Sequence, residues 1–355
     1  MSKRSHYKYF VRFLVKRLIY SLIVLILGLN LLYFIPRLMN INPVDVYLYR
    51  VLGGGVGLGA GGSISGVTGT VEAVRKRFME LFGLDKPPLQ QYLLYWKRLF
   101  TFDFGFSYAE YPKTVTSIVT KALRWTLILV IPVLITGFVA GTYLGLWVAL
   151  NPSKAKNTLF YSFIILQQTP YYWLAMILIY LLAIAYPVFP LKGAYSEKWL
   201  GPTLSFDFIV DFLWHYALPF LSLVIPITGG YAAGIRAAIA SEAKSNYVEW
   251  CILLGFSRKR ISKYVLRAAI LPQITWFPLT FVGLLSQSLL VEIVFGYPGI
   301  GYYIQLATFS LDYPLMEALF FIIMLIITFG YLFMEILYGL LNPKLGATYV
   351  AEEGV

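Results

Sequence analysis

Residues 125–150 read WTLILVIPVLITGFVAGTYLGLWVAL. The run contains no Asp, Glu, Lys or Arg, and it exceeds the ~20 residues that an α-helix needs to cross a bilayer. The rest of the chain has a similar character, since 59% of its 355 residues are hydrophobic and only 13% are charged. Soluble domains carry about 25% charged residues. The composition therefore predicts a membrane protein and excludes a soluble globular domain.

Five further runs lack the same four residue types. They are Leu18–Ile35, Asn157–Leu191, Phe212–Ile235, Ala268–Val291 and Ala318–Met334. Each run is near or above the spanning length, so we expect an all-α polytopic protein with six transmembrane helices. Residues 293–311 are also uncharged, but GYPGIG at 296–301 interrupts them. Because irregular backbone in lipid leaves polar groups unpaired, we expect that segment at the interface or inside the protein.

Lysine and arginine indicate the orientation. They precede the first run, lie between the second and third runs, and recur throughout residues 236–267. Cytoplasmic loops are enriched in these residues, so both termini are expected in the cytoplasm of a cell-membrane protein. The net charge of +12 is then a consequence of topology. A nucleic-acid partner is not expected, because such a site gathers its cations on one surface.

This orientation divides the chain into four parts. Residues 1–36 form a cytoplasmic segment and the first helix, and residues 37–121 form an extracytoplasmic domain. Residues 122–342 contain the other five helices and the basic loop 236–267, and residues 343–355 form a cytoplasmic tail. Within the second part, the glycine-rich stretch 53–69 is expected to be a flexible surface loop. Residues 78–100 predict one or two interfacial helices around Pro87 and Pro88.

The sequence lacks the residues that a disulfide, a Cys/His metal cluster or a nucleotide-binding loop would need. One cysteine, Cys251, and two histidines cannot form a disulfide or a Cys/His metal cluster. The GxGxxG match at 57–62 has neither the strand before it nor the acidic residue after it that a nucleotide site needs. We expect no catalytic, cofactor-binding or metal-binding residue. A membrane-bound enzyme or a channel remains a distant alternative.

The basic loop predicts two short helices. In Lys244–Leu254 the apolar residues Tyr247, Trp250, Cys251 and Leu254 share one helical face. Gly255 is suited to end this helix, and a second helix is expected at Arg258–Ile270, before Pro272. Periodicity alone leaves open whether the first helix lies on anionic lipid or docks to a protein.

The same loop resembles a known family. Residues 246–261 read NYVEWCILLGFSRKRI, and LRAAILP follows at 266–272. This pattern is similar to the EAA loop of ABC importer permeases, in particular the dipeptide/oligopeptide branch. Matches to that branch also occur at 82–87 (FGLDKP), 102–105 (FDFG), 291–301 (VEIVFGYPGIG), 311–314 (LDYP) and 342–344 (NPK). Trp250 and Cys251 depart from the motif, which has small alanines there.

The resemblance implies a type I ABC importer permease fold and a helix that docks into an ATP-binding subunit. The docking residues it assigns are Asn246, Tyr247, Glu249, Trp250, Leu254, Gly255 and Phe256. It implies as partners two ATP-binding subunits, which hold ATP and Mg²⁺, a second non-identical permease subunit and an extracellular substrate-binding protein. The implied substrates are peptides, with di- or oligosaccharides as the alternative.

Polar residues in the spans are the candidates for the transport pathway, because buried polar groups there usually face the protein interior. They are Gln167, Gln168, Tyr171, Tyr172, Thr228, Gln287 and Glu292. For Glu292 two roles remain open, either an outer gate or a hydrogen bond that fixes the turn at 296–301. Gly137, Gly141 and Gly145 form a face without side chains on the second helix and predict close helix packing.

Overall fold

The computed structural model describes residues 3–38, 41–51, 68–150 and 152–341. Regular structure in these residues is helical, apart from one isolated β-bridge between Phe106 and Thr114. The helices are α1 (Lys3–Arg37), α2 (Pro43–Val51), α3 (Thr68–Phe82), α4 (Pro88–Thr101), α5 (Val115–Leu150), α6 (Lys154–Gln167), α7 (Tyr171–Ile179), α8 (Phe206–Glu242), α9 (Asn246–Leu253), α10 (Arg258–Phe295), α11 (Ile300–Ser310) and α12 (Tyr313–Leu341). A π-helical segment, Tyr180–Ala185, follows α7 directly.

Five single helices are long and apolar enough to cross a membrane among the described residues. They contain Leu14–Arg37, Val115–Leu150, Phe206–Glu242, Arg258–Phe295 and Tyr313–Met334. A sixth candidate consists of α6 and the segment Tyr171–Ala185, which meet at a bend of 107°. The prediction of an all-helical polytopic chain is thus confirmed, and five of the six predicted spans are single helices.

The third predicted span, Asn157–Leu191, is broken at Pro170 and is not one continuous helix. The backbone N–H groups of Gln168 and Thr169 bond to carbonyls three residues earlier, at 3.1 Å each, which closes the last turn of α6. Pro170 then supplies no N–H, and its ring disfavours a helical conformation at Thr169. The second half ends at Ala185, two residues before Pro187. Pro170 therefore divides a segment that, judged only by its lack of charged residues, would be a single helical span.

The predicted helix Arg258–Ile270 is too short. It does not end before Pro272 but continues through Pro272 and Pro278 to Phe295 as the single helix α10. An interior proline removes one hydrogen bond. Ending the helix would leave several more backbone groups unpaired in an apolar environment. Continuing the helix therefore leaves fewer backbone groups unpaired than ending it. The continuous helix joins the basic loop directly to the fifth predicted span.

The chain forms two compact units, and the first consists mainly of Trp125–Gly301. Here α8 packs against α6, α7 and α10. A Cβ added at Gly141 of α5 would lie 2.6 Å from the Thr228 carbonyl oxygen of α8. Gly137 and Gly145, one turn to either side, face Ile227 and Ile235 just as closely. The predicted close packing along this glycine face is confirmed.

The second unit consists of Val11–Arg124 and Tyr302–Phe329. Its buried cluster contains Val44, Leu48, Phe82, Tyr108 and Tyr313. The buried Asp312 carboxylate accepts hydrogen bonds from the Ser107 hydroxyl at 2.5 Å and from the Ala109 N–H at 3.0 Å. The start of α12 is thereby fixed to the loop that precedes α5.

Two predicted segments lie outside the described residues. These are most of the glycine-rich loop 53–69 and the tail 343–355. Of the one or two interfacial helices predicted in residues 78–100, α4 occupies the second half of that range, whereas α3 begins earlier, at Thr68. Their position at the interface stays a prediction. The four-part division at residues 36, 121 and 342 rests on the side of the membrane that each part occupies, and it stays a prediction.

Candidate functional site

The loop between α8 and α10 contains the predicted docking residues. Helix α8 ends at Glu242, where the Ser245 hydroxyl donates to the Glu242 carbonyl at 2.6 Å. Helix α9 begins at Asn246 and ends at Leu253. It is somewhat shorter than the predicted Lys244–Leu254, because Ala243 to Ser245 form the turn that separates it from α8. The loop thus presents α9 as a separate, short helix.

Helix α9 turns most of its apolar side chains outward. Val248 is buried, and α9 packs against α10. In contrast, Trp250 is 64% exposed, Leu253 71% and Leu254 69%. Tyr247 is also exposed, and Asn246 and Glu249 flank it on the surface. A helix that exposes this much apolar surface outside a membrane span is typical of an interaction site.

Gly255 ends α9 in a conformation that favours glycine. Its φ is +74°, and no atom lies within 4 Å of the position that a Cβ would take. The N–H groups of Gly255 and Phe256 bond back to the carbonyls of Ile252 and Cys251, each at 3.0 Å. This reversal closes the carbonyl end of the helix. The half-buried Phe256 ring lies 5.3 Å from the Arg260 guanidinium at the start of α10.

A side-chain hydrogen bond joins α9 to the end of α8. The Tyr247 hydroxyl donates to the Glu242 carboxylate at 3.0 Å. Partial burial and this neighbouring carboxylate raise the pKa of Tyr247, so its hydroxyl stays protonated and able to donate. The contact restricts the angle between the two helices.

The predicted pathway residues on the third span surround its break. Gln167 is the last residue of α6, and Tyr171 and Tyr172 are the first two of α7. Gln168 and Tyr172 are exposed, whereas Gln167 and Tyr171 are half-buried. The Gln167 side chain lies against Gly229 and Gly230 of α8. The break thus brings amides and phenols to one corner of the chain.

The other predicted pathway residues are separated from that corner in the sequence and differ in exposure. Thr228 is 5% exposed, and its carbonyl faces Gly141. Gln287 is on the surface of α10. Whether any of these residues contacts a substrate stays a prediction.

Glu292 lies in the last turn of α10 and contacts the segment between α10 and α11. Its side chain is fully buried, and its Oε2 accepts the Gly301 N–H at 2.6 Å. Gly299 lies so close that an added Cβ would collide with the carboxylate. Thr126 of α5 supports the same segment, because its hydroxyl oxygen accepts the Ile300 N–H at 2.9 Å. Of the two roles left open by the sequence, this geometry supports fixation of the turn.

Sequence reasoning missed the residues that shape the break. Gly229 and Gly230 give room for Gln167, and their signal in the sequence is the GG pair inside a charge-free span. Within the described residues, no three His, Cys, Asp or Glu side chains are placed to hold a metal ion.

Residues 141–347 match the family model of the binding-protein-dependent transport system inner membrane component. The match covers more than half of the chain and includes α9 and the Glu292 turn. The chain belongs to this family. Members of the family are membrane subunits that work with ATP-binding subunits and a substrate-binding protein. Their type I ABC importer fold and multi-pass location in the cell membrane apply to this family member.

Curated relatives of this transport-system component cover most of its length. The oligopeptide transport system permease protein AppB of Bacillus subtilis is 28% identical over 77% of this chain and 85% of its own. The dipeptide transport system permease protein DppB of the same species is 27% identical over 78% and 85%. The inner membrane ABC transporter permease protein YejB of Escherichia coli O157:H7 is 28% identical over 94% and 98%.

Proposed function

We propose that this chain is the permease subunit of an ATP-driven importer that moves peptides delivered by an extracellular substrate-binding protein. The observation on which the proposal depends is the exposed apolar surface of α9. This helix ends at the Gly255 turn and lies in a loop rich in lysine and arginine. Family membership supports the transport role. The names of two relatives, which specify oligopeptide and dipeptide transport, support the substrate class.

The proposed complex contains two ATP-binding subunits and a second, non-identical permease. ATP and Mg²⁺ are bound by the ATP-binding subunits, and this chain contributes no cofactor ligand or catalytic residue. Both termini and the 236–267 loop are cytoplasmic. Helix α9 then docks into a groove of one ATP-binding subunit through Trp250, Leu254 and their neighbours.

Docking can drive transport only if the ATP-binding subunit has different affinities for the two conformations of the permease. A partner that binds two conformations equally shifts neither of them. The ATP-binding subunit must therefore hold α9 differently with and without nucleotide. The Gly255 turn and the Tyr247–Glu242 hydrogen bond connect α9 to α10 and α8 on its two sides. A displacement of α9 therefore moves both helices.

Cys251 provides a direct test, since it is the only cysteine in the sequence and lies half-buried in α9. A short bifunctional thiol-to-amine crosslinker is applied to the full chain co-expressed with its ATP-binding subunits. We expect a product that joins Cys251 to an ATP-binding subunit, with a yield that changes when nucleotide is added. The matched control is Cys251→Ser, which removes the product. Crosslinking only to lipid or to the binding protein contradicts the docking role and the orientation.

Substrate class needs a separate experiment. Thermal unfolding of the cognate substrate-binding protein is measured with a peptide library and with β-linked oligosaccharides. We expect peptides to raise the melting temperature. Protection by oligosaccharides alone would favour the alternative substrate, in which Tyr171, Tyr172 and Trp173 stack on sugar rings.

ATP hydrolysis by the purified chain without partner subunits would instead favour an enzyme.

A further inference from the structure

Helix α4 exposes a stripe of large apolar side chains. Leu89 is 70% exposed, Leu93 60% and Phe100 78%, and the half-buried Trp96 lies between the last two. Their spacing of four, three and four residues places them along one narrow face of the helix. The Trp96 and Phe100 rings stack, with centroids 5.9 Å apart. The sequence predicts an interfacial position for this segment, and the stripe identifies the face of α4 that is available for contact with lipid.

A different face of α4 is fixed to α1. The Tyr95 hydroxyl donates to the Leu29 carbonyl at 2.8 Å, and the Tyr92 hydroxyl donates to the Asn30 amide oxygen at 2.6 Å. The Tyr92 ring also stacks on Phe34, with centroids 5.7 Å apart. These contacts hold α4 beside the C-terminal half of the first candidate span.

The contacts with α1 set the depth of α4. At 1.5 Å per residue, Leu29 lies about 9 Å inside the end of the charge-free run Leu18–Ile35. Only a narrow line of α1, including Leu25, Leu29 and Tyr33, is buried, whereas Leu31 and Phe34 are more than half exposed. Exposed apolar side chains on a membrane span are suited to contact with acyl chains. The stripe on α4 adjoins the same apolar surface.

We propose that α4 is an interfacial helix whose Leu89, Leu93, Trp96 and Phe100 stripe inserts among phospholipid acyl chains beside α1. Helices of this kind bury an apolar face about 5–10 Å into the boundary between headgroups and acyl chains. The depth of the Leu29 contact agrees with that range.

The polar residues of α4 have the arrangement that this position requires. Lys97 and Gln90 are exposed and point away from the face that packs on α1. Lys97 is adjacent to the stripe, where its chain can reach the phosphate layer while its stem covers apolar surface. Tryptophan is enriched at this level of the membrane. In this position the apolar stripe contacts acyl chains, and the exposed Gln90 and Lys97 contact headgroups or water.

The test measures lipid contact directly. An environment-sensitive fluorophore is attached at Leu93→Cys in the full chain with Cys251→Ser, and the protein is reconstituted in phosphatidylcholine vesicles. The matched control has the fluorophore at Gln90→Cys, less than one turn away on the polar side. Quenching by lipids with a doxyl group near the headgroup is compared with quenching by aqueous iodide. Phe100→Cys is a second site if the Leu93 variant does not fold.

We expect several-fold stronger lipid quenching at Leu93 than at Gln90, and the reverse order for iodide. Equal access of iodide to both positions would overturn the proposal, because the stripe would then face water. Protection of Leu93 from both quenchers when the second permease is present would also overturn it, in favour of a protein partner. None of these measurements depends on ATP hydrolysis or on the substrate, so this test is independent of the proposed function.

Discussion

The Arg37 guanidinium lies 2.7 Å from the Glu317 carboxylate, joining the end of α1 to α12. The side chain of Glu317 is 7% exposed and that of Arg37 is 23% exposed. The aromatic rings of Tyr33 and Tyr313 lie 3.8 Å and 5.1 Å from the guanidinium. Loss of Arg37 would leave the buried Glu317 carboxylate without its hydrogen-bonded counterion, and loss of Glu317 would leave the half-buried guanidinium without its carboxylate partner.

We therefore predict that Glu317→Leu or Arg37→Met alone lowers the thermal stability of the purified chain strongly, on the order of 3–5 kcal/mol. The double variant should recover much of this loss, because neither charge is then left unpaired. The measurement is the midpoint of thermal unfolding in detergent for all four members of the cycle. Additive losses would contradict an ion pair that acts as a unit.

The effect of a substitution at Gly255 should depend on how readily the new residue adopts a positive φ. There is space for a side chain, so the cost comes from the positive φ alone, about 1 kcal/mol for alanine and more for a β-branched residue. We predict that transport-coupled ATP hydrolysis falls in the order Gly, Asn, Ala, Val at this position, since asparagine adopts this conformation more readily. Equal activity of the Asn and Val variants would contradict the role assigned to the turn.

The exposed residues of α9 should affect partner binding and leave the fold intact. We predict that Trp250→Ser with Leu254→Ser weakens binding of the ATP-binding subunit by at least tenfold, since central apolar anchors typically contribute more than 1 kcal/mol each. The melting temperature of the isolated chain should stay unchanged. Binding is measured by titration of the labelled ATP-binding subunit.

Val248→Ser is the comparison variant for α9, because Val248 is the buried side chain of this helix. It should lower the stability of the isolated chain. If the double variant destabilised the isolated chain as much as Val248→Ser does, the exposed side chains would be part of the fold and not of a docking surface.

The contact between α5 and α8 should not accept a methyl group. We predict that Gly141→Ala costs about 1–3 kcal/mol, because the added carbon meets backbone of α8 and overpacking has costs of that size. Gly283→Ala in α10 is the control, since no atom lies within 4 Å of its added Cβ. It should be neutral or slightly stabilising, as alanine favours helix over glycine. Thermal unfolding of both variants tests the difference.

The Glu292 turn should depend on an acceptor and not on a charge. We predict that Glu292→Gln keeps transport near the parental rate, because the amide oxygen can accept the Gly301 N–H. Glu292→Leu should reduce transport and stability together, since that buried N–H then lacks an acceptor. Transport is measured in vesicles with the binding protein inside or outside. A similar large loss of transport with Gln and with Leu, at unchanged stability, would instead support a gate.

The sequence predicted those features that depend on where charges are absent. Six apolar runs located the candidate spans, and the glycines at 137, 141 and 145 located a helix contact, because both follow from local composition. A proline inside a span invites a kink, so Pro170 indicated a disturbed helix, but a break with a bend of 107° did not follow from the sequence. Absence of charge shows that a segment avoids water, but not that its backbone is continuous. Proline gives opposite results at two places, since Pro170 ends a helix and Pro272 does not.

The position of Glu292 shows a second limit of sequence reasoning. Its two possible roles differ only in whether the carboxylate meets the Gly301 N–H or an open space, and that depends on the fold of the GYPGIG segment. Long-range pairs such as Arg37 with Glu317 are also invisible without the fold, because they are distant in sequence. The helix α9, for which docking is predicted, is by contrast local, and its glycine stop, apolar content and flanking charges were all readable from the sequence.

Helix α10 has 38 residues, so it measures about 57 Å along its length at 1.5 Å per residue. One end adjoins the Gly255 turn and the other contains Glu292. A rigid tilt of about 10° around its midpoint would displace each end by about 5 Å, in opposite directions, for a helix of this rise. An inward pull on the tip beside the Gly255 turn is then, geometrically, an outward swing of the distant one. A single element of this length would let opening on one side of a membrane exclude opening on the other.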